Sequence, residues 1–124
     1  MKQALATVQA PAAIGPYSQG IAAGQTVYVS GQLPIDPATE AIPEGIAAQT
    51  AQSLKNIQAI LAEQGMTLAD VVKTTVFLAD MNDFAEMNKV YGEYFAQPFP
   101  ARSAVQVAKL PKGAPLEIEC IAVK

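Results

Sequence analysis

Alternation of side chains in three segments constrains the fold more than any other feature of this sequence. In Leu116–Val123 every second residue from Leu116 is apolar, and two glutamates lie between them. Arg102–Val107 and Val71–Ala79 show the same two-residue period. Because successive side chains of a β-strand point to opposite faces of its sheet, each segment has one apolar face and one mixed face. The period therefore predicts strands of a sheet that is covered on one face.

Two segments have a helical period instead. Ile46–Gln64 places apolar or small side chains every three to four residues, and Gly65 follows as a helix stop. The second segment follows three N-cap candidates, namely Asp80, Asn82 and Asp83. It carries one aromatic-rich stripe, formed by Phe84, Met87, Tyr91, Tyr94 and Phe95. Two amphipathic helices are therefore predicted.

The order of these elements predicts the fold class. Thr26–Gln32 is rich in β-branched residues and reads as a further strand. Strands interleaved with two helices indicate an α+β fold, in which both helices cover one face of a mixed or antiparallel sheet. A length of 124 residues suits one domain, so we expect residues 1–124 to form a single domain.

The face that the helices leave open is expected to carry the function. By alternation, Glu117 lies on this mixed face. Arg102 and Ala104 are expected there too, because Val105 and Val107 provide the apolar face of their strand. A mixed face suits a subunit interface with polar pockets. Charged residues make up only 15% of the chain, which agrees with surface buried against another subunit.

Composition excludes several kinds of chemistry. The chain has no histidine and one cysteine, Cys120. This removes most zinc and iron sites, and it removes nucleophilic catalysis by Ser–His or Cys–His pairs. The formal charge is −3 and the basic residues are scattered, so a nucleic-acid partner is not expected.

The same sequence predicts a cytoplasmic location. Residues 1–13 contain one lysine and no long apolar run, unlike a secretion signal. No stretch approaches the roughly 20 apolar residues of a membrane span. A lone thiol fits a reducing compartment.

Arg102 and Glu117 are the main candidates for chemistry. The Arg102 guanidinium can grip a carboxylate through two hydrogen bonds, each worth about 1.5–3 kcal/mol. Glu117 lies among apolar strand residues, where desolvation raises a carboxyl pKa and suits it to proton transfer. From spacing alone, an ion pair at a strand edge explains Arg102 better, and a solvated glutamate explains Glu117 better.

Five other residues offer weaker signals. Tyr17 sits in a Gly-Pro-Tyr turn that can present its phenol to a cleft, although most such tyrosines only pack. Ser30 and Gly31 offer a hydroxyl and an approachable backbone, although glycine in a strand more often marks a bulge. Lys73 could be a nucleophile only if desolvated, and an interface ion pair explains it better. Cys120 is expected to be an inert core residue on the helix-covered face.

Several stretches, in order along the chain, match one family. They are APAAIGPYSQG (10–20), SGQLP (30–34), VVKTTVFLADMNDFAEMNKVY (71–91), PARSAVQVAKLP (100–111) and LEIECIAV (116–123). On these motifs, nearly the whole chain resembles the reactive-intermediate deaminases, the RidA or YjgF-like proteins. The pairing of GPYSQG with PARSxVxVxxLP carries most of the specificity.

The resemblance implies both an assembly and an activity. The assembly is a homotrimer of chorismate-mutase-like subunits, with sheets forming a central barrel and clefts between neighbouring subunits. The activity is hydrolysis of 2-aminoacrylate, 2-iminopropanoate and 2-iminobutanoate to 2-keto acids and ammonia, without a cofactor.

Residue roles follow from the same resemblance. Arg102 would clamp the substrate carboxylate, and Glu117 would orient or activate the attacking water. Tyr17 would line the cleft, with Ser30 and Gly31 beside the ligand.

Ala104 is a departure from the family pattern, because many members have cysteine at this position. The resemblance implies that the backbone there lies against the ligand, and backbone groups survive a change to alanine. Activity is therefore expected to persist, and a thiol-based mechanism is disfavoured.

Two other functions stay open at this point. A non-catalytic trimeric sensor of small 2-keto acids would need the same arginine clamp, although it gains nothing from Glu117 near an anionic ligand. Endoribonuclease activity or inhibition of translation, ascribed to some relatives, is disfavoured by the net charge of −3 and the missing histidine.

Overall fold

Six β-strands form one continuous sheet in the computed structural model, which describes residues 1–124. The strands are β1 (Lys2–Leu5), β2 (Gly20–Ala23), β3 (Thr26–Gln32), β4 (Val71–Leu78), β5 (Ala101–Gln106) and β6 (Leu116–Val123). Their order across the sheet is β1-β2-β3-β6-β4-β5. β4 and β5 run parallel and all other neighbours are antiparallel, so the predicted mixed sheet is confirmed.

Two α-helices, α1 (Ile46–Ala62) and α2 (Phe84–Tyr94), cover the same face of this sheet. Their buried side chains join those of the strands in one hydrophobic core. The last strand contributes its alternate residues, namely Leu116, Ile118, Cys120 and Ala122, as the two-residue period predicted. The α+β arrangement is therefore confirmed. Neither helix combines the length and the apolar character that crossing a membrane requires.

Local signals in the sequence set the helix ends. α1 ends at Ala62, and Gly65 follows with a φ of 68°, a left-handed conformation that glycine adopts without steric cost. Before α2, the Asp80 side chain accepts a hydrogen bond from the Asn82 amide at 2.9 Å. This bond caps a 3₁₀ turn, Met81–Asp83, which leads directly into the helix. The predicted stop is thus confirmed. Of the three N-cap candidates, Asp80 caps the 3₁₀ turn, and Asp83 occupies the N-cap position of α2 without a side-chain hydrogen bond.

The opposite face of the sheet is covered by no helix and is partly apolar. Tyr28 of β3, Val105 of β5 and Val123 of β6 are 50%, 43% and 40% exposed. Polar groups lie on this face as well, since the Lys73 ammonium donates a hydrogen bond to the Ser103 hydroxyl at 3.3 Å. Exposed apolar side chains that share one face of a sheet suit contact with another protein surface.

Arg102 and Ala104 lie on the helix-covered face, so their predicted position on the open face was wrong. In the parallel pair of β4 and β5, Arg102 lies beside Thr74 and Ala104 beside Val76. Both β4 residues are fully buried under the helices. Val105, which was expected to be covered, is exposed on the open face instead.

The physical reason for this reversal lies in α2. Its Phe84 and Tyr91 rings face the edge strand β5, and a long cationic side chain can lie against them with its charged end toward solvent. Alternation separates the two faces of a strand, but it does not determine which face an adjacent helix covers.

The strands β1 and β2 were not predicted. They extend the sheet as an antiparallel meander with β3. Each has only four residues, which is too short for a two-residue period to stand out from the surrounding loop.

Replacing Ile57 with alanine is expected to reduce the free energy of unfolding by about 2–5 kcal/mol, because the change leaves a cavity in the core. Ile57 is fully buried on α1. Gln58→Ala is the matched control, since Gln58 is exposed on the same helix and such changes usually stay within about 0.5 kcal/mol. Urea unfolding measures both values, and equal losses for the two variants would contradict the packing described.

Candidate functional site

A cleft of about 690 Å³ lies beside an irregular stretch of the β3–β6 pair, and it is termed the Glu117 cleft. Its walls come from the loop before β2, from the end of β3 and the residues after it, and from residues 111–119. Its polar lining includes Tyr17, Gln19, Ser30, Lys112 and Glu117. Its apolar lining includes Ile14, Leu33 and Ile35. The size and the mixed lining suit a small organic molecule.

Gly31 allows the Glu117 side chain to approach the backbone of β3. The regular register of β3 and β6 is lost between Val29 and Gln32, and Gly31 lies within this bulge. A β-carbon at Gly31 would lie 2.7 Å from the carboxyl carbon of Glu117 and 2.8 Å from its Oε2. Any larger residue would therefore displace the carboxylate. The bulge expected at this glycine is confirmed, and it leaves room for the Glu117 carboxylate.

Burial raises the pKa of the Glu117 carboxyl above its ordinary value of 4.5, and the charge of Glu119 raises it further. The shift brings the acid closer to neutral pH, where one carboxyl can both accept and return a proton. Glu117 is therefore the side chain in this cleft best suited to proton transfer.

A buried amide holds the wall that carries Tyr17. The Gln19 Oε1 accepts a hydrogen bond from the Thr7 amide at 2.7 Å, and its Nε2 donates to the Pro11 carbonyl at 2.7 Å. The backbone carbonyl of Gln19 accepts from the Ser30 amide at 2.9 Å, which ties this wall to β3. Tyr17 itself is 54% exposed and lines the cleft.

A second buried amide fixes the apolar wall. Asn56 is fully buried on α1, and its Nδ2 donates to the carbonyls of Leu33 and Ile35 at 3.1 and 3.0 Å. Because these carbonyls have no strand partner of their own, the side chain supplies the bonds that a ladder would otherwise provide. A side chain of helix α1 thus fixes the backbone that forms one wall of the cleft.

Arg102 lies in a different cleft, of about 400 Å³, which is termed the Arg102 pocket. Its Nη1 donates to Asn88 Oδ1 at 2.7 Å. The guanidinium carbon lies 4.7 Å from the centre of the Tyr91 ring and 5.5 Å from that of Phe84. Both distances fall within the range of cation–π attraction. The side chain is therefore held in one orientation at the edge of the sheet.

The Arg102 guanidinium has no carboxylate partner. The one ion pair in the chain joins Lys124 and Asp70, whose charged atoms lie 3.7 Å apart. A guanidinium has five N–H donors, and the contact with Asn88 uses one of them. The structural ion pair that spacing favoured for Arg102 is therefore absent, and donors remain for a ligand.

Tyr91 connects this arrangement to the core. Its hydroxyl lies 2.7 Å from that of Thr74 in a buried hydrogen bond, and its ring packs on Phe95 with centroids 4.6 Å apart. Burial raises the pKa of the Tyr91 phenol, and this outweighs the hydrogen bond and the Arg102 charge, which both lower it. The phenol thus stays neutral and supports the guanidinium through its ring face.

Comparison with known proteins identifies the family. Residues 7–124 match the model of the family described as Endoribonuclease L-PSP. The chain belongs to this family. It is 51% identical, over 100% of its own length and 99% of the other, to the 2-iminobutanoate/2-iminopropanoate deaminase of Salmonella typhimurium.

Two crystal structures extend the comparison within the family. The YjgF gene product of Escherichia coli superimposes with a TM-score of 0.93 at 50% identity, with 98% of each chain covered. Escherichia coli TdcF with bound serine superimposes with a TM-score of 0.93 at 47% identity, again over 98% of each chain. The predicted membership of the RidA and YjgF-like proteins is confirmed.

The structure separates the site residues expected for this family into two groups. Tyr17, Ser30, Gly31 and Glu117 line the Glu117 cleft. Arg102 lies in the Arg102 pocket, with Ala104 next to it on β5, packed against the core. Because the sheet lies between them, Arg102 and Glu117 do not share a site within this chain.

The other candidates have structural roles. Lys73 donates to the Ser103 hydroxyl on the open face. Cys120 is buried in the core, as predicted, and burial with the nearby Glu119 charge raises the pKa of its thiol to about 12, so it is no nucleophile at neutral pH. No three His, Cys, Asp or Glu side chains cluster closely enough to hold a metal ion.

Four residues that hold Arg102 or the cleft walls in place were given no such role from the sequence: Phe84, Asn88, Gln19 and Asn56. Phe84, Asn88 and Tyr91 are spaced i, i+4 and i+7, which places them on one helix face. That signal was available, but the aromatic stripe was attributed to the core. Gln19 belongs to the GPYSQG motif, but its role was not inferred, because its partners are backbone groups that a sequence pattern does not identify.

Replacing Gly31 with alanine is expected to move the Glu117 carboxylate toward solvent and to lower its pKa. The added β-carbon meets the flexible end of a side chain, so the cost in stability stays within roughly 1–3 kcal/mol. NMR titration of the Glu117 carboxyl carbon measures the effect. Gly92→Ala is the control, because a β-carbon there meets no atom within 4 Å. An unchanged Glu117 pKa in Gly31→Ala would refute the proposed contact.

Replacing Glu117 with glutamine is expected to stabilise the fold at neutral pH but not in acid. Since the folded-state pKa is raised, the wild type loses stability as the pH rises from about 4.5 through that pKa. Glutamine does not ionise and avoids this loss. Thermal unfolding at about pH 4 and pH 7 measures the stability of Glu117→Gln relative to wild type, and the exposed Glu63→Gln is the control for net charge. Equal gains at both pH values would contradict the linkage.

Proposed function

We propose that this protein is a deaminase that hydrolyses 2-aminoacrylate, 2-iminopropanoate and 2-iminobutanoate to 2-keto acids and ammonia. The observation that carries the proposal is Glu117, a desolvated carboxyl with a raised pKa, seated over Gly31 beside Tyr17 and Ser30. A relative that is 51% identical over its full length is named for this activity. The proposed location is the cytoplasm, since the free Cys120 thiol fits a reducing compartment.

The proposed active site joins the Glu117 cleft of one subunit to Arg102 of a neighbour in a barrel-centred homotrimer. Two features support this arrangement. Arg102 has free donors and no carboxylate partner within its own chain. The open sheet face exposes Tyr28, Val105 and Val123, which association around a three-fold axis would bury.

The Arg102 clamp positions the substrate in this site. A 2-imino acid carries its carboxylate next to the reacting C2 carbon, so two hydrogen bonds from one guanidinium fix the carboxylate and the direction of C2 together. The rings of Phe84 and Tyr91 and the amide of Asn88 hold the guanidinium ready before substrate arrives.

Glu117 moves the proton that hydrolysis requires. In the protonated imine, the oxygen of a water molecule bonds to C2 while Glu117 takes one proton from that water, which gives a carbinolamine. Glu117 returns this proton to the nitrogen. The C–N bond then breaks, the oxygen forms the keto group as it loses its remaining proton, and ammonia leaves. An enamine first takes a proton from solvent at C3, while its nitrogen lone pair forms the C=N bond, and this gives the same protonated imine. Acid–base assistance of this kind is worth about 10²–10⁴-fold in rate.

The remaining residues shape the cleft. The Ser30 hydroxyl donates to the Ser18 carbonyl, so it supports the loop and keeps its lone pairs for a ligand. Tyr17 presents its phenol at the cleft. Ala104 offers only backbone and a methyl group next to Arg102, so no thiol enters the proposed reaction.

RNA cleavage, which the family description names, receives less support from the geometry. The Glu117 cleft is lined by one cation, Lys112, and two carboxylates, Glu117 and Glu119. RNA backbones are held by rows of cations that neutralise several phosphates. RNA binding with a steep salt dependence would favour that function instead.

Subunit mixing tests the activity and the shared site together. Arg102→Ala and Glu117→Ala are each expected to lose about 10²-fold or more in kcat/KM for 2-iminopropanoate, since each removes a charged group from the site. When the two variants are refolded together in equal amounts, trimers assemble at random. An intact Arg102 then faces an intact Glu117 in about one quarter of the interfaces. Trapping of residual imine by semicarbazide measures the recovered activity.

The controls separate the possible outcomes. Each variant refolded alone must stay inactive, and light scattering must give three times the mass of one chain. If the mixed variants form trimers of the expected mass but recover no activity, both residues would act within the site of one subunit. An inactive wild type would refute the deaminase function and favour the 2-keto acid sensor.

A further inference from the structure

Gln19 is a buried residue whose side chain bonds to the backbone of the loop through both of its polar atoms. It is only 4% exposed. Its Oε1 accepts from the Thr7 amide at 2.7 Å, and the carbonyl oxygens of Thr7, Ala10 and Pro11, at 3.1, 3.3 and 2.7 Å from Nε2, share its two N–H groups. Every polar atom of the carboxamide is therefore used on the backbone of residues 7–11.

These bonds organise a segment with no regular structure. Residues 6–19 connect β1 to β2 without a helix or a strand. Backbone groups in such a segment need partners, and ordering each residue costs conformational entropy. The Gln19 side chain supplies partners on one side, while its backbone carbonyl accepts from the Ser30 amide at 2.9 Å on the other. One residue thus joins the loop to the bulge that carries Gly31.

The same loop carries one whole wall of the Glu117 cleft. Pro11, Ile14 and Tyr17 line the cleft from this loop, and Glu117 lines it from β6. Ile14 is 80% exposed and Tyr17 54% exposed, so neither is held in place by burial of its own side chain. Their positions relative to Glu117 depend on how the backbone of the loop is fixed.

We propose that Gln19 is a positioning residue for the reaction in the Glu117 cleft, holding residues 6–19 so that Tyr17 and Ile14 close on a small 2-imino or 2-keto acid. It acts through the loop and does not touch the reacting atoms. This inference rests on the proposed function, and it assigns Gln19 to substrate binding and leaves the proton-transfer step to Glu117.

Gln19→Glu is the test variant, and Gln49→Glu is its matched control. Glutamate keeps the size of the side chain and an oxygen for the Thr7 amide, but it has no N–H to give to the carbonyls of Thr7, Ala10 and Pro11. Gln49 likewise donates from Nε2 to a proline carbonyl, that of Pro43, at 2.8 Å, but it lies on α1 and lines neither cleft. The two variants therefore make the same chemical change inside and outside the proposed site.

Two measurements are expected to move together in Gln19→Glu. Hydrogen exchange should become faster within residues 6–19 and stay unchanged in β6. If the ordered loop falls to about one tenth of the population, KM for 2-iminopropanoate rises about tenfold, while kcat changes by less than about threefold. Gln49→Glu should leave both kinetic constants at wild-type values. Gln19→Met, which keeps the volume but no hydrogen bonds, repeats the test if the buried glutamate prevents folding.

Three results would overturn the assignment. Exchange within residues 6–19 could stay slow in Gln19→Glu, or exchange could rise with KM unchanged, or kcat could fall while KM stays constant. Each of these results counts against the assignment only if the wild type is active. An inactive wild type refutes the proposed function itself, so the two failures are distinguishable.

Discussion

The covering of the sheet on one face only is the constraint on which the rest of this structure depends. α1 and α2 bury alternate residues of β3, β4 and β6 in a single core, and no further element is present to cover the other face. That face keeps apolar side chains in contact with solvent, which costs free energy until another surface covers them. The same arrangement puts Arg102 on the side of α2 and Glu117 on the opposite side of the sheet. Packing of the core and separation of Arg102 from Glu117 within the chain therefore have one cause.

Within the single chain, the separation keeps the two charged groups from perturbing each other. If Arg102 and Glu117 met within one chain, their attraction would hold the carboxyl pKa low and occupy the guanidinium donors. Instead, Glu117 is neighboured by Glu119 and by apolar surface, so its pKa is raised. Arg102 is neighboured by aromatic rings and an amide, which hold a cation without neutralising it. Each charged group is thus prepared in a separate environment.

Much of the fold could be predicted from the sequence, because its signals are local. The two-residue period of β6, the stop at Gly65 and the cap at Asp80 each depend on residues a few positions apart. The grouping of Tyr17, Ser30, Gly31 and Glu117 was also predicted, through motifs of the family. The face of β5 was not, because it depends on the contact of Arg102 with α2, which lies outside the strand itself. Gln19 and Asn56 were missed for the same reason, since amides that bind distant backbone leave no pattern.

The contact between Gly31 and Glu117 also bears on how this site can change during evolution. The two positions face each other with no free volume between them, so the effect of a substitution at one depends on the residue at the other. A larger residue at 31 is tolerated only if the side chain at 117 becomes shorter or turns away, and either change removes the carboxylate from the cleft. A single substitution at either position therefore disturbs the placement of the Glu117 carboxylate. New specificities in this scaffold have to arise at its outer wall, where Ile14 and Lys112 can vary without touching the pair.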